Sequence, residues 1–120
     1  MTSNPDSKDI LDVTFSTPTP EYDGDRKAAL FELLGQAHMI PLLHEFESRT
    51  EPHRFSELRE RLDAPETTLT DRLRQLTELG FVTRTQYDEI PPRVEYTATE
   101  KTLALAPAFE YLSRWGIYYD

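Results

Sequence analysis

Residues 54–99 hold two short helical periods, a four-residue break and two alternating segments, and no other stretch of the chain limits the fold so tightly. Glu57, Leu58 and Leu62 follow Ser56 at helical spacing, with Ser56 the expected N-cap. Asp63-Ala-Pro-Glu66 then has the form of a capping box, carboxylate first, proline in the first turn and glutamate three residues on, so a second helix is expected over residues 64–79. Leu69, Leu73, Leu76 and Leu79 fall on one stripe of that helix, Gly80 follows as a C-cap candidate, and Thr67, Thr70, Asp71, Arg74 and Gln75 face the other way. Phe81 to Thr85 and Arg93 to Thr97 alternate apolar and polar side chains as half-buried strands do, joined by a turn ending in Pro91 and Pro92, and Arg54 with Phe55 supplies a short third strand. Helix, turn, helix and β-ribbon together outline a winged helix-turn-helix, a mainly α fold with a small β-wing. In that fold the 64–79 helix can enter a major groove while residues 81–98 form a wing on flanking DNA.

The flanks extend this unit. Residues 1–23, with Pro5, Pro18, Pro20, many acids and few apolar groups, read as an acidic disordered arm whose patch from Ile10 to Phe15 is placed to dock on a partner subunit. Residues 24–120 are left as one domain, as suits a chain of 120 residues. From Asp25 to Ser48 the apolar positions keep helical spacing, and Gly35 and Pro41 divide them into two helices, with Pro41 in a first turn where its missing N–H costs nothing. Thr99 to Trp115 is helical, ends near Gly116, and is kinked or restarted at Pro107. Its large apolar residues exceed what one small domain buries. This C-terminal helix is therefore a dimer-surface candidate.

Net charge is −9 and the pI about 4.8, which opposes indiscriminate polyanion binding. Most of the acidity lies elsewhere than in the proposed interface. Residues 1–25 carry six acids against Lys8, whereas from Arg49 to Arg84 seven arginines balance seven carboxylates. Ten arginines against three lysines, with 22 acids, suggest adaptation to high salt and a haloarchaeal source, where charges are screened within about 3 Å at 1 M ionic strength. An ordinary acidic mesophilic protein is the alternative. Zero cysteines exclude disulfides, thiolate metal sites and thiol sensing within these residues. No apolar run long enough to span a membrane and no secretory signal pattern is present, so a cytoplasmic location is expected.

The candidate DNA contacts each have a plainer reading. Thr67, Thr68 and Thr70 are suited to phosphates, base edges or the thymine methyl, and Arg72 and Arg74 to guanine or backbone phosphate, with Gln75 presented beside them toward DNA; alternatively the threonines cap and the arginines pair with Asp71 or Glu78. Arg84 and Arg93 flank the wing and suit phosphates or a minor groove, or else pair across the ribbon with Glu95 or Asp88. Arg54 and Ser56 either anchor a phosphate at a helix start or cap it. His38 and His44 are six apart, off the spacing that aligns metal ligands on a helix, and no phosphate loop or nucleophile motif appears, so neither metal, cofactor nor enzymatic activity is expected. The aromatics Phe109, Tyr111, Trp115, Tyr118 and Tyr119 either pack in a core or dimer surface or line a pocket for an unidentified small-molecule effector.

Three segments carry a family likeness: RFSELR at 54–59, TLTDRLRQLTELGFVTR at 68–84 and PPRVEYTATEK at 91–101. Together they resemble the HxlR-type winged-helix transcription regulators, relatives of the MarR-like regulators, over about Leu30 to Trp115. The resemblance implies a homodimer, joined through its terminal helices, that binds a palindromic operator in double-stranded DNA and represses or activates. Departures are specific. The cysteine that members often carry before the first helix is absent; Gly35-Gln36-Ala37-His38 stands where a Gly-Gly-Lys-Trp-like segment is usual; Thr102 replaces a glycine; and Glu66 precedes Thr67 where a basic or polar pair is common. The rival expectation is a winged-helix protein-interaction module that does not itself touch DNA.

Overall fold

A computed structural model describes residues 8–21 and 23–120. Residues 1–7 and 22 of the expected arm lie outside the described residues. The rest of that arm contains one 3-10 turn, Lys8–Leu11, and otherwise non-regular chain. In the single chain the patch from Ile10 to Phe15 lies along the C-terminal helix of the same molecule, where the Arg114 guanidinium donates to the Ile10 carbonyl at 3.4 Å.

Helix α1 (Gly24–Leu34) starts at Asp23, whose carboxylate accepts the Asp25 and Arg26 amides at 3.1 and 3.2 Å. Helix α2 (Met39–Ser48) follows a tight loop in which His38 adopts φ 66°, and Pro41 sits in its first turn as expected. Met39, Leu42, Leu43 and Phe46 of α2 are wholly buried and form the centre of the core. Strand β1 is His53–Arg54, and α3 (Phe55–Leu62) begins directly from it. Here the helix start differs from the expected one. Because Arg54 is paired with Glu95 in the sheet, the chain leaves extended geometry at Arg54, whose amide donates to the Glu57 carboxylate at 3.2 Å; Ser56 falls inside the first turn and is not the cap.

The Asp63 capping box does not form either. Asp63 ends α3 in the left-handed region (φ 48°, ψ 42°), a conformation Asp tolerates better than most residues. Pro65 becomes the N-cap residue of α4 (Glu66–Glu78), and no side chain caps that end. The far end matches expectation closely: Gly80 at φ 79° closes a Schellman motif in which the Phe81 amide donates to the Leu76 carbonyl at 2.9 Å and the Gly80 amide to Thr77 at 3.2 Å. Leu69, Leu73 and Leu76 are buried, but Leu79 is 48% exposed, since the chain turns away one residue before the stripe would continue.

Strands β2 (Val82–Tyr87) and β3 (Arg93–Ala98) pair antiparallel from Val82 opposite Ala98 to Tyr87 opposite Arg93, and β1 adds to the other side of β3, giving the order β1-β3-β2. Burial does not alternate along the ribbon as its sequence suggested. In β2 only Val82, at the base of the hairpin, is buried, and in the central strand β3 every residue is intermediate. That base is bolted down by Thr102, a fully buried residue whose hydroxyl donates to the Phe81 carbonyl at 2.6 Å. Pro107 restarts the chain: α5 is Glu100–Leu103, and α6 runs Ala106–Tyr119, past Gly116. No residue of α6 is buried, and Leu112, Trp115, Ile117 and Tyr119 are all about half-exposed. The radius of gyration, 17.1 Å, exceeds the roughly 14 Å of a compact domain of this length, because α1, α6 and the N-terminal segment stand off the core.

The stripe can be tested at both ends. Leu73→Ala should destabilise the protein by about 2–5 kcal/mol in urea unfolding, whereas Leu79→Ala should cost well under ~1 kcal/mol. Equal losses would contradict the burial pattern.

Candidate nucleic-acid interface

With its leucine face in the core, α4 turns Thr67, Thr70 and Arg74 outward at i, i+3 and i+7, all exposed. Thr68, one step round the helix, is half-buried. Three charged or polar neighbours of this stripe converge on one carboxylate. Asp71 accepts from Arg74 Nη2 at 2.6 Å through one oxygen, and from Arg72 Nη1 at 2.6 Å and Gln75 Nε2 at 2.8 Å through the other. Arg74 also reaches Glu78 at 3.3 Å. The Asp71 carboxyl is held below its ordinary value of 3.8, chiefly by the hydrogen bonds from Arg74 and then Gln75, while Arg74 is pushed further up by its hydrogen bonds to Asp71 and then Glu78.

Arg72 and Gln75 also point back into the protein. Arg72 Nε donates to the Ala37 carbonyl at 3.0 Å, and Gln75 makes a reciprocal amide pair with Gln36, both bonds 2.8 Å. In the free chain these two side chains tie α4 to the loop between α1 and α2, whereas the sequence reading put them on the DNA face. Gln36 and Ala37 lie 39 and 35 residues away from their partners, beyond any helical or strand spacing that a sequence displays.

A second group forms where the wing meets α3. Arg93 lies over the Tyr87 ring at 4.2 Å and pairs with Glu89 at 3.3 Å and Glu95 at 3.7 Å, and Arg54 reaches Glu95 at 4.0 Å from the other side. Between them runs an open groove of about 510 Å³ lined by Arg54, Phe55, Ser56 and residues 89–94. Arg84 belongs to neither group. It is exposed on β2, with Gln86 at 3.4 Å as its hydrogen-bond partner and no ion pair among the described residues. The ten residues singled out from the sequence thus divide into an α4 group around Asp71, an α3–wing group around Glu95, and Arg84 alone.

The three histidines go separate ways. His38 occupies the α1–α2 loop, His44 meets Phe109 at 5.0 Å between ring centres, and His53 is buried against Phe46. The His53 Nε2 lies 2.9 Å from the Arg49 carbonyl, which can only accept, and Nδ1 lies 3.2 Å from Arg61 Nη1, which can only donate; the ring is therefore the neutral Nε2–H tautomer. Among the described residues no cluster of three metal-ligating side chains occurs, and no helix is long and apolar enough to cross a membrane.

The Asp71 network has a titration signature. Because its carboxyl is depressed in the folded state, the ion pair is intact above the ordinary carboxylate value and is lost as pH falls through the lower folded value. Asp71 followed by carboxyl NMR should titrate below 3.8, and Arg74→Ala should move it upward. An unshifted Asp71 in both proteins would refute the pairing.

Comparison with known proteins agrees with this geometry. A family model described as HxlR-like helix-turn-helix matches residues 33–120. A protein of Methanothermobacter thermautotrophicus, named as an uncharacterized HTH-type transcriptional regulator, is 44% identical over 69 residues, covering 55% of this chain and 51% of its own length. This chain thus spans about half the length of that relative. Among solved structures, a MarR-family transcriptional regulator of Enterococcus faecalis superposes with a TM-score of 0.69 at 31% identity, over 86% of this chain and 94% of the other. The reduced form of the transcriptional regulator YodB of Bacillus subtilis gives 0.66 at 30% identity, over 79% and 91%. The winged helix-turn-helix built from residues 53–103 and the family match across most of the sequence lead to one conclusion: this chain belongs to the HxlR-like helix-turn-helix family.

Proposed function

We propose that the chain is a sequence-specific DNA-binding regulator of transcription, acting as a homodimer on a palindromic operator. The observation that carries this reading is the outward stripe of Thr67, Thr70 and Arg74 on a helix whose opposite face is locked in the core. Helix α4 enters a major groove, where the threonines meet base edges or thymine methyls and Arg74, still held by Asp71, exchanges Glu78 for guanine or phosphate. Thr68 lies at the edge of that contact, while Arg72 and Gln75 support it from behind. Arg54, Ser56, Arg84 and Arg93 lie on the wing side, toward flanking phosphates. In the dimer the exposed apolar residues of α1 and α6, Phe31, Leu112 and Trp115 among them, are covered, and half-sites lie about one helical turn apart.

The YodB structures include a quinone-bound form. In this cysteine-free chain a small-molecule effector is held without a thiol, and the largely apolar groove of about 730 Å³ between residues 11–15 and α6 offers such a site. High-salt adaptation of an archaeal, cytoplasmic protein fits the acidic, lysine-poor composition. A protein-interaction module is the second reading, favoured by one observation: the arginines beside the stripe are already ion-paired with Asp71, Glu78, Glu89 or Glu95.

Selection of bound duplexes from a randomised library separates the two readings: enrichment of a two-fold symmetric sequence is expected, and none would favour the interaction module. On the selected duplex Arg74→Ala should weaken binding by roughly ten- to a hundred-fold in a salt-matched mobility shift, as the loss of a bidentate contact does. Melting temperature should rise with KCl concentration; greatest stability near zero salt would contradict the high-salt assignment.

A further inference from the structure

Arg74 is the one long cation on the outward stripe of α4, and its guanidinium, though exposed, is ion-paired. Asp71, one turn earlier, grips it at 2.6 Å, closer than Glu78 at 3.3 Å one turn later. The opposite oxygen of Asp71 is itself taken by Arg72 and Gln75, so the carboxylate cannot rotate without breaking two further hydrogen bonds. Those two side chains are anchored in turn on Ala37 and Gln36, in the loop whose His38 is fixed in the left-handed region. A continuous chain of hydrogen bonds therefore runs from the α1–α2 loop, along the side of α4, to the guanidinium that faces outward.

We propose that Asp71 is a positioning residue for DNA recognition, fixing the direction of the Arg74 guanidinium, and that the Gly35–His38 loop fixes Asp71 through Arg72 and Gln75. This rests on the DNA-binding reading above and adds how the reading face is set. A flexible arginine loses conformational freedom when it engages a base; an arginine already oriented loses less, and the difference appears as discrimination between sequences more than as overall attraction. Asp71 also places a negative charge beside the phosphates. Its net effect is to lower affinity for any duplex while sharpening the choice among them.

The experiment compares affinity for a duplex selected by the wild-type protein with affinity for a scrambled duplex of the same composition. Asp71→Asn should raise affinity for the scrambled duplex and lower the selected-to-scrambled ratio about ten-fold. Gln36→Ala, which lies outside α4 and tests the loop even if Asp71→Asn folds poorly, should lower the ratio by about three-fold. In an Arg74→Ala background neither change should move the ratio by more than about two-fold, because the group being positioned is gone. Equal losses with and without Arg74 would show a merely structural role and overturn the proposal, as would an unchanged ratio in both single variants. A wild-type protein with no preference for any duplex would instead sink the regulator reading itself.

Discussion

Everything on the outer face of α4 depends on the burial of Leu69, Leu73 and Leu76 in one cluster with Leu42, Leu43 and Phe46 of α2. Three leucines at helical spacing contribute several kcal/mol of apolar burial between them, enough to fix the rotation of a thirteen-residue helix about its own axis. Once that rotation is set, positions 67, 70 and 74 can only face outward, and 72 and 75 can only graze the neighbouring loop. The Schellman closure at Gly80 then sends the chain straight into the wing, so the helix and the ribbon are held in one relation by its two backbone hydrogen bonds and the buried Thr102 hydroxyl.

The electrostatics follow from the same arrangement. An acidic protein proposed to meet a polyanion must either keep its carboxylates away from the interface or give them a purpose there. Here Asp71 and Glu95 each sit between two arginines, so that local charge is balanced and each guanidinium is directed. Exposed ion pairs of this kind add little to stability. Their consequence is geometric: they decide where the arginines point, which under the proposed DNA-binding role bears on recognition more than on folding.

Much of the architecture was legible from residue spacing. Helix α4, its leucine stripe as far as Leu76, the Gly80 cap, the two wing strands and the division of the N-terminal helices at Gly35 all appear where periodicity and turn chemistry put them. Two starts were misread for related reasons. Ser56 and Asp63 are good capping residues by type, but β-pairing of Arg54 with Glu95 and the left-handed turn at Asp63 took over the local geometry, and neither is a short-range signal. The wing alternates like a half-buried strand, yet β2 is exposed beyond Val82 and β3 is evenly intermediate, since alternation reports two faces without saying whether anything covers either one.

Local patterns alone determined the helix-turn-helix-ribbon order, the cysteine-free chemistry and the polar face of α4, because these depend on contacts within a few residues or on composition. Only the tertiary structure decided which of the polar groups are free to meet a partner. Arg72 and Gln75 turn inward because a loop more than thirty residues earlier in the chain offers a carbonyl and an amide at the right distance. Arg54 and Arg93 converge because sheet pairing brings Glu95 between them. Such pairings are set by how the elements stack, and nothing in their sequence separation announces them.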